Sequence, residues 1–251
     1  MILYFSGTGN SKHLARIIGE KTGESLIDIA ELLDKGTTDI QLASTERLGF
    51  VFPVHFWGLP VIVKDFIETL HIGGYNGQYV FMAATYGMVC GNPHGQLSAL
   101  LGRKGVNVNA DFCVRMVDVW TPIFDLSDKE KTLRTTQKAI PKMEETGNCV
   151  KEKLVTRQGK IPLSGLANLV HKLFYTDCRE TKAFHVTENC IGCGKCAKDC
   201  PTKAIALQEG KPHWVKSQCT MCLRCLHHCP AFAIQYGNFT QRHGQFTNPY
   251  V

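Results

Sequence analysis

Long apolar runs are absent from this 251-residue sequence. Its most hydrophobic stretch, FVFPVHFWGLPVIV (50–63), is short and is broken by Pro53, Pro60 and His55, which excludes a membrane-spanning helix there. The opening MILYF has no basic flank and no cleavage-like site, so no secretory leader is expected and the chain is placed in the cytoplasm without membrane insertion. Tryptophan is scarce, with three residues, and the lysines and arginines stand apart from any aromatic ladder, which argues against nucleic acid as a partner. Cysteine is sparse through the first 189 residues, which hold four, and crowded afterwards, where there are eight. Such clustering suits metal ligation in a reducing compartment rather than a disulfide scaffold. A hydrophobic content of 44% in a chain of this length allows one ordinary core and a smaller appendage, so two domains are expected.

The eight crowded cysteines form two near copies, CIGCGKCAKDCP (190–201) and CTMCLRCLHHCP (219–230). In C-x2-C-x2-C-x3-C-P the first three thiolates lie on a tight loop that can wrap one corner of an iron–sulfur cubane, leaving the fourth pointing elsewhere. Zinc also takes four thiolates, but seldom three at this even spacing followed by Cys-Pro. Gly192 and Gly194 suit a backbone that must approach sulfide closely, and Pro201 and Pro230 end each run. His227 and His228 are expected beside the ligands or exposed, since the thiolates suffice. Residues 183–236 resemble a bacterial 2[4Fe-4S] ferredoxin. In that family the fourth cysteine crosses to the other cluster, which implies one cluster on Cys190, Cys193, Cys196 and Cys229 and a second on Cys219, Cys222, Cys225 and Cys200. Charge fits this: residues 1–150 carry 14 basic and 16 acidic side chains, the rest 14 and 6, and two clusters of roughly −2 each would offset part of that excess.

At the other end, MILYFSGTGNS reads as a short strand and a small-residue loop, followed by a helix whose Leu14, Ile17 and Ile18 share one face. A strand, loop and helix N-terminus make an anion seat. Lys12 stands where a dinucleotide fingerprint has its third glycine, and no Walker lysine follows, so a terminal monophosphate fits best. Two further buried strands run into loops, His55-Phe56-Trp57-Gly58 and Thr85-Tyr86-Gly87. The first precedes a helix with Ile62, Val63, Phe66, Ile67 and Leu70 inward; the second precedes one from about residue 95 to 103. A further strand is expected over about 111–117. In an open parallel α/β sheet these loops gather at the carboxyl ends of the strands, where ligands bind.

Ser6 to Ser11 with these two loops resembles flavodoxin, the FMN-binding electron carrier, and the whole chain is similar to bacterial flavodoxin–ferredoxin fusion proteins of anaerobes. The resemblance implies a flavodoxin-like doubly wound parallel sheet over 1–150, a helical linker over 151–182 and a small α+β ferredoxin domain with a C-terminal tail over 183–251. It implies that Ser6, Thr8, Gly9, Asn10 and Ser11 hold the FMN phosphate and that Trp57 and Tyr86 flank the ring. Gly58 would flip its peptide toward the reduced flavin, and Gly7, Pro53, His55, Phe56, Thr85 and Gly87 complete the set. Read singly, Trp57 and Tyr86 could be core aromatics and His55 a scaffold residue, with Cys90, Cys113, Cys149 and Cys178 small buried hydrophobes. Leu59 and Pro60 follow the Trp57 loop where flavodoxins place acid, so this flavin is expected to be easier to reduce.

Between the halves, Ser127-x-x-Glu130 has the form of a capping box, Pro141 should kink or end the following helix, and Leu163, Leu166, Leu169, Val170, Leu173 and Phe174 make a stripe expected to pack domains together. The polar tail after Tyr236 should drape over one domain. The expected function is electron relay between two 4Fe-4S clusters and FMN, linking a low-potential donor protein to an acceptor reductase. The alternative is a flavin-dependent reductase of a small-molecule substrate, with His55 or His94 as the nearest acids; a third reading is a sensing module with a vestigial flavin site. No catalytic residue is assigned.

Overall fold

The computed structural model describes residues 1–158 and 164–251; Leu163 of the apolar stripe lies outside them. The chain runs β1 (Ile2–Tyr4), α1 (Asn10–Thr22), β2 (Leu26–Asp28), α2 (Ile29–Asp34), β3 (Asp39–Gln41), β4 (Leu48–Pro53), α3 (Val61–Thr69), β5 (His71–Gly73), β6 (Val80–Tyr86), α4 (Pro93–Gly102), β7 (Ala110–Arg115), α5 (Lys129–Lys151) and β8 (Thr156–Arg157). It continues through α6 (Ser164–Cys178), β9 (Phe184–Val186), α7 (Lys195–Lys198), β10 (Ile205–Gln208), β11 (Lys211–Trp214), α8 (Arg224–His227), β12 (Ile234–Tyr236) and α9 (Thr240–His243).

Six strands form one parallel sheet in the order β2-β1-β4-β6-β7-β8, while β3 and β5 pair separately. Without that side pair, the first five strands follow the flavodoxin-like order 2-1-3-4-5. Both faces of the sheet are covered, so β4 and β6 read as unbroken buried runs rather than alternating ones. Alternate residues feed two cores: Leu3, Phe50, Phe52 and Met82 pack with Val63, Phe66 and Leu97 of α3 and α4, and Ile2, Val51, Phe81 and Phe112 pack with Leu14, Ile18 and Met143 of α1 and α5. The expected inward faces of α1 and α3 are therefore found, with Leu70 buried just beyond α3.

Some expectations are corrected. The cap of α5 is Asp128, whose carboxylate accepts from Lys131 N at 2.8 Å, in place of Ser127. The helix does not end at Pro141, because Ala139, Met143, Thr146 and Val150 are buried on either side and outweigh the roughly 3 kcal/mol that an interior proline costs. The stretch read as a helical linker contains β8, which extends the sheet beside β7. In α6, Leu166, Leu169, Leu173 and Phe174 are about half exposed (49%, 51%, 55% and 56%). The helix docks instead through Ala167, His171 and Tyr175, one turn apart, with hydrogen-bonding groups doing what the apolar stripe was expected to do. Cys90 and Cys113 are joined as a disulfide, while Cys149 and Cys178 are free thiols; Cys113 on β7 lies beside the loop after β6, a neighbour that a sequence separation of 23 conceals.

The C-terminal part is built from the hairpin β10–β11, the antiparallel pair β9–β12 and two one-turn helices. These helices, α7 and α8, occupy matching places in the two cysteine repeats. Gly192 and Gly194 take φ of 68° and 70° in the first repeat; Met221 and Leu223 occupy the matching positions in the second and take 54° in both cases. Side chains in this left-handed region cost about 1–3 kcal/mol each, so their retention calls for a reason. The tail lies on both halves: Gln245 Nε2 donates to Leu226 O and Cys229 O, and Tyr250 stacks on His13 of α1 at 5.0 Å. Among the described residues no helix is long and apolar enough to cross a membrane.

Candidate functional site

The carboxyl ends of β1, β4, β6 and β7 open onto a cavity of about 280 Å³. Its walls include Ser6, Gly7, Thr8, Asn10 and Ser11 from the first loop, Pro53, His55, Phe56 and Trp57 from the second, and Thr85, Tyr86 and Gly87 from the third. The three loops singled out in the sequence are thus brought together. Gly9 and Gly58 are not part of the wall. Gly9 sits behind it at φ 99°, where a Cβ would meet Val251 and Asn248. Gly58 has both backbone groups paired with His55, N to O at 3.0 Å in each direction, and a Cβ there would meet His171 and Gln96.

The first loop leads straight into the N-terminus of α1, which no side chain caps. Its free N–H groups carry the positive end of a 13-residue helix into the cavity. Ser11 Oγ bonds Thr85 Oγ1 at 2.7 Å, and Ser6 Oγ accepts from Gly9 N at 3.0 Å, so these hydroxyls are oriented before any ligand arrives.

The second loop is held from outside the sheet. Phe56 and Trp57 both take positive φ, 45° and 64°, and Trp57 O accepts from Asn92 N at 2.8 Å. His171 of α6 donates Nδ1–H to the carbonyls of His55 and Phe56 at 3.0 and 3.1 Å. Phe56 stacks on Tyr175 and meets Trp120 edge-on, with ring centres 5.6 and 5.3 Å apart. The Tyr175 hydroxyl donates to Thr220 O and accepts from Val61 N, tying α6, α3 and the second cysteine repeat at one atom; His55 Nδ1 is 3.0 Å from it.

Burial, followed by the nearby His171, pulls His55 from its ordinary 6.5 to about 4. His55 is therefore a neutral scaffold residue near pH 7. Below its ordinary value the unfolded chain takes up a proton that the folded chain refuses, so stability falls as pH drops from 6.5 and stops falling below about 4. The slope contributed approaches ~1.4 kcal/mol per pH unit. His55→Asn keeps a donor toward Tyr175 without titrating, and its chemical denaturation midpoints should be flatter than wild type across that window; parallel profiles would exclude this assignment.

Several wall residues carried no motif. Asp118, beyond β7, lies in the wall with its carboxyl pushed up by burial while accepting from Trp120 N at 3.1 Å. The acid-poor cavity expected from Leu59 and Pro60 thus has one carboxyl from a fourth loop, which its place at the same sheet edge could have flagged. His94 is not in the wall: its Nδ1 is 3.2 Å from the buried Asp111 carboxylate. Met221, Cys222 and Leu223 of the second cysteine repeat complete one side. Here the left-handed Met221 and Leu223 find their reason, since glycines would leave that side open. The Cys222 carbonyl lies against Gly7, where a Cβ would be 2.5 Å away.

The cysteines gather in two sets that cross between the repeats. Cys190, Cys193, Cys196 and Cys229 line one small cavity with Gly192 and Gly194. Cys200 packs with Cys219 and Cys225 around Ala204 and Ile205 and is electrostatic neighbour to Cys219, Cys222 and Cys225. Burial pushes the Cys219, Cys222 and Cys225 thiols up, Cys219 to about 12, with sulfur neighbours adding to it. Backbone N–H groups nonetheless point at sulfur: Ala204 N to Cys200 and Ala233 N to Cys229 at 3.3 Å, and Met221 N to Cys219 at 3.2 Å. Buried sulfurs with donors aimed at them fit thiolates whose charge a metal cluster balances. Among the described residues no three His, Cys, Asp or Glu side chains converge on a single ion. His227 is buried and outside both sets, Nε2–H donating to Val119 O at 2.9 Å while Nδ1 accepts from Phe246 N at 3.1 Å.

The flavodoxin domain family matches residues 1–139, and a 4Fe-4S dicluster domain matches 182–230. No curated protein matches the chain. Among solved structures, an FMN-dependent NADH-azoreductase from Bacillus anthracis is similar at 14% identity and a TM-score of 0.37, over 60% of this chain and 98% of that one. A flavodoxin from Streptococcus pneumonia TIGR4 is similar at 15% identity and 0.34, over 56% and 97%. Rubredoxin oxygen:oxidoreductase from Desulfovibrio gigas is similar at 17% and 0.35, over 62% and 36%. With more than half of its length matched by one family and a cluster-binding domain following, the chain belongs to the flavodoxin-domain family and is a flavin and iron–sulfur redox protein.

Proposed function

We propose that the chain is an electron relay in which two 4Fe-4S clusters and one FMN lie in sequence. Cys190, Cys193, Cys196 and Cys229 would hold one cluster, and Cys200, Cys219, Cys222 and Cys225 the other. Ser6, Thr8, Asn10 and Ser11, with the N-terminus of α1, would hold the FMN phosphate, and Trp57 and Tyr86 would border its ring. When bound, the clusters exchange single electrons and the flavin takes one or two. The observation that carries the reading is that Met221, Cys222 and Leu223 belong at once to the cysteine loop and to the cavity wall. The loop of the other set is turned outward, with Cys193 and Ile191 exposed. The proposed order is therefore an outer cluster, an inner cluster and then flavin.

The protein's own groups bind, orient and shield. Neutral hydroxyls and amides fix a phosphate, the strained Phe56–Trp57 turn walls the ring site, and Asp118 sets the local field. The functional units are taken as 1–150, the connecting 151–182 and 183–251, working in the cytoplasm between a low-potential donor protein and an acceptor reductase. Direct reduction of a small substrate is less well supported, because His55 is buried and neutral and His94 is engaged by Asp111. Anaerobic purification with iron, sulfide and flavin analysis tests the proposal. About eight iron, about eight sulfide and about one FMN per chain are expected; zinc in place of iron, or no flavin, would overturn it.

A further inference from the structure

Three consecutive carbonyls of the loop between β1 and α1 each accept a hydrogen bond from the far end of the sequence. Ser6 O accepts from Arg224 Nη2 at 2.6 Å, Gly7 O from His228 Nε2 at 3.2 Å, and Thr8 O from the backbone N–H of Asn248 at 2.8 Å. Arg224 and His228 stand between cluster cysteines of the second repeat, and Asn248 belongs to the tail. In a planar trans peptide the carbonyl and the N–H point in opposite directions. Tying these three carbonyls to the C-terminal half therefore turns the N–H groups of Gly7, Thr8 and Gly9 the other way, that of Gly9 onto Ser6 Oγ. A run of N–H groups so directed is an anion-binding concavity.

We infer that Arg224, His228 and the tail are positioning residues for the flavin phosphate, so that the phosphate seat is completed by the iron–sulfur half of the chain. The inference rests on the FMN reading above. Close packing supports it independently of the hydrogen bonds: a Cβ at Gly7 would lie 2.5 Å from Cys222 O, and one at Gly9 would lie 2.6 Å from Val251 Cγ2. The small residues of this loop are thus matched to the surface behind them. Asn248 Nδ2 also donates to Asn10 Oδ1 at 3.0 Å, and Arg224 lies 3.9 Å from Asp28, so the donors are themselves anchored.

A functional coupling follows. Cluster assembly orders the 219–229 loop that carries Arg224 and His228, and so raises FMN affinity. By linkage, bound FMN stabilises the clusters to the same degree. Neither Arg224 nor His228 is a cluster ligand, so each can be replaced with all eight cysteines intact.

The test uses the full chain, purified anaerobically, with FMN dissociation constants read from flavin fluorescence and iron measured in the same samples. Arg224→Ala and His228→Ala should each retain iron and bind FMN about tenfold more weakly, the equivalent of one hydrogen bond of ~1.4 kcal/mol. Arg224→Lys should recover part of the loss, because it restores a single donor. Wild-type chain stripped of iron by a chelator should lose at least as much affinity as Arg224→Ala. Unchanged FMN affinity in both alanine variants at full iron content would overturn the inference, as would unchanged affinity in the stripped chain, which decides the matter if a variant fails to load iron. A fully iron-loaded wild type that binds no FMN would overturn the flavin reading and this inference with it.

Discussion

Replacing Cys200 with serine is expected to empty the cluster site of the second repeat, although Cys200 belongs to the first. Its sulfur packs with Cys219 and Cys225 and receives Ala204 N–H at 3.3 Å, and a hydroxyl oxygen is a harder and shorter ligand than thiolate. About half of the iron should be lost, and flavin reduction by a reduced one-electron carrier protein should slow by about a hundredfold or more, because in the proposed order the cluster beside the flavin would be missing. Cys190→Ser should lose a similar share of iron from the outer site and leave the inner cluster able to pass electrons from small reductants. Iron analysis with stopped-flow absorbance distinguishes the two. Equal slowing with small reductants in both variants would show that the order outer cluster, inner cluster, flavin is wrong.

Gly7→Ala should be nearly as damaging, by a different route. The added Cβ would lie 2.5 Å from Cys222 O and 3.2 Å from Cys222 Cβ. A backbone carbonyl within the cysteine loop cannot rotate aside as a long side chain can, so the β1–α1 loop or the cysteine loop must shift. Overpacking of this kind costs about 1–3 kcal/mol. Charged to flavin binding, the upper end is roughly a hundredfold in affinity. Gly102→Ala is the matched control: it lies in α4 with nothing within 4 Å of its Cβ, and it should leave FMN binding unchanged while stabilising the protein by about 0.5–1 kcal/mol. Equal FMN affinity in the two variants would contradict the close approach at Gly7.

What the sequence could reveal followed from the range of the interactions concerned. The nearness of Cys229 to the first repeat and of Cys200 to the second was expected because the cysteine spacing is local and recurs intact. The loop between β1 and α1 stood out because strand, small residues and helix N-terminus are contiguous. The roles of Gly7 and Gly9 were read only in part, as freedom to fold around an anion. Both also face the other half of the chain, through Cys222 and Val251, a partnership spanning more than 200 positions. The disulfide of Cys90 with Cys113, the wall carboxyl of Asp118 and the clasp of the tail share that long-range origin. The helix α6 misled for another reason: hydrophobic periodicity marks apolar faces, whereas His171 and Tyr175 dock by hydrogen bonds that periodicity does not register. Met221 and Leu223 were visible as departures from Gly192 and Gly194, but their meaning required the cavity they enclose.

An iron anomalous difference map of crystals grown anaerobically from the fully loaded chain tests the central claim most directly. Two groups of peaks are predicted, one among Cys200, Cys219, Cys222 and Cys225 beside the flavin density, with Met221 to Leu223 between them, and one farther off among Cys190, Cys193, Cys196 and Cys229. A map with the flavin nearest the Cys190 set, or with the second-repeat iron turned away from the β1–α1 loop, would contradict the account.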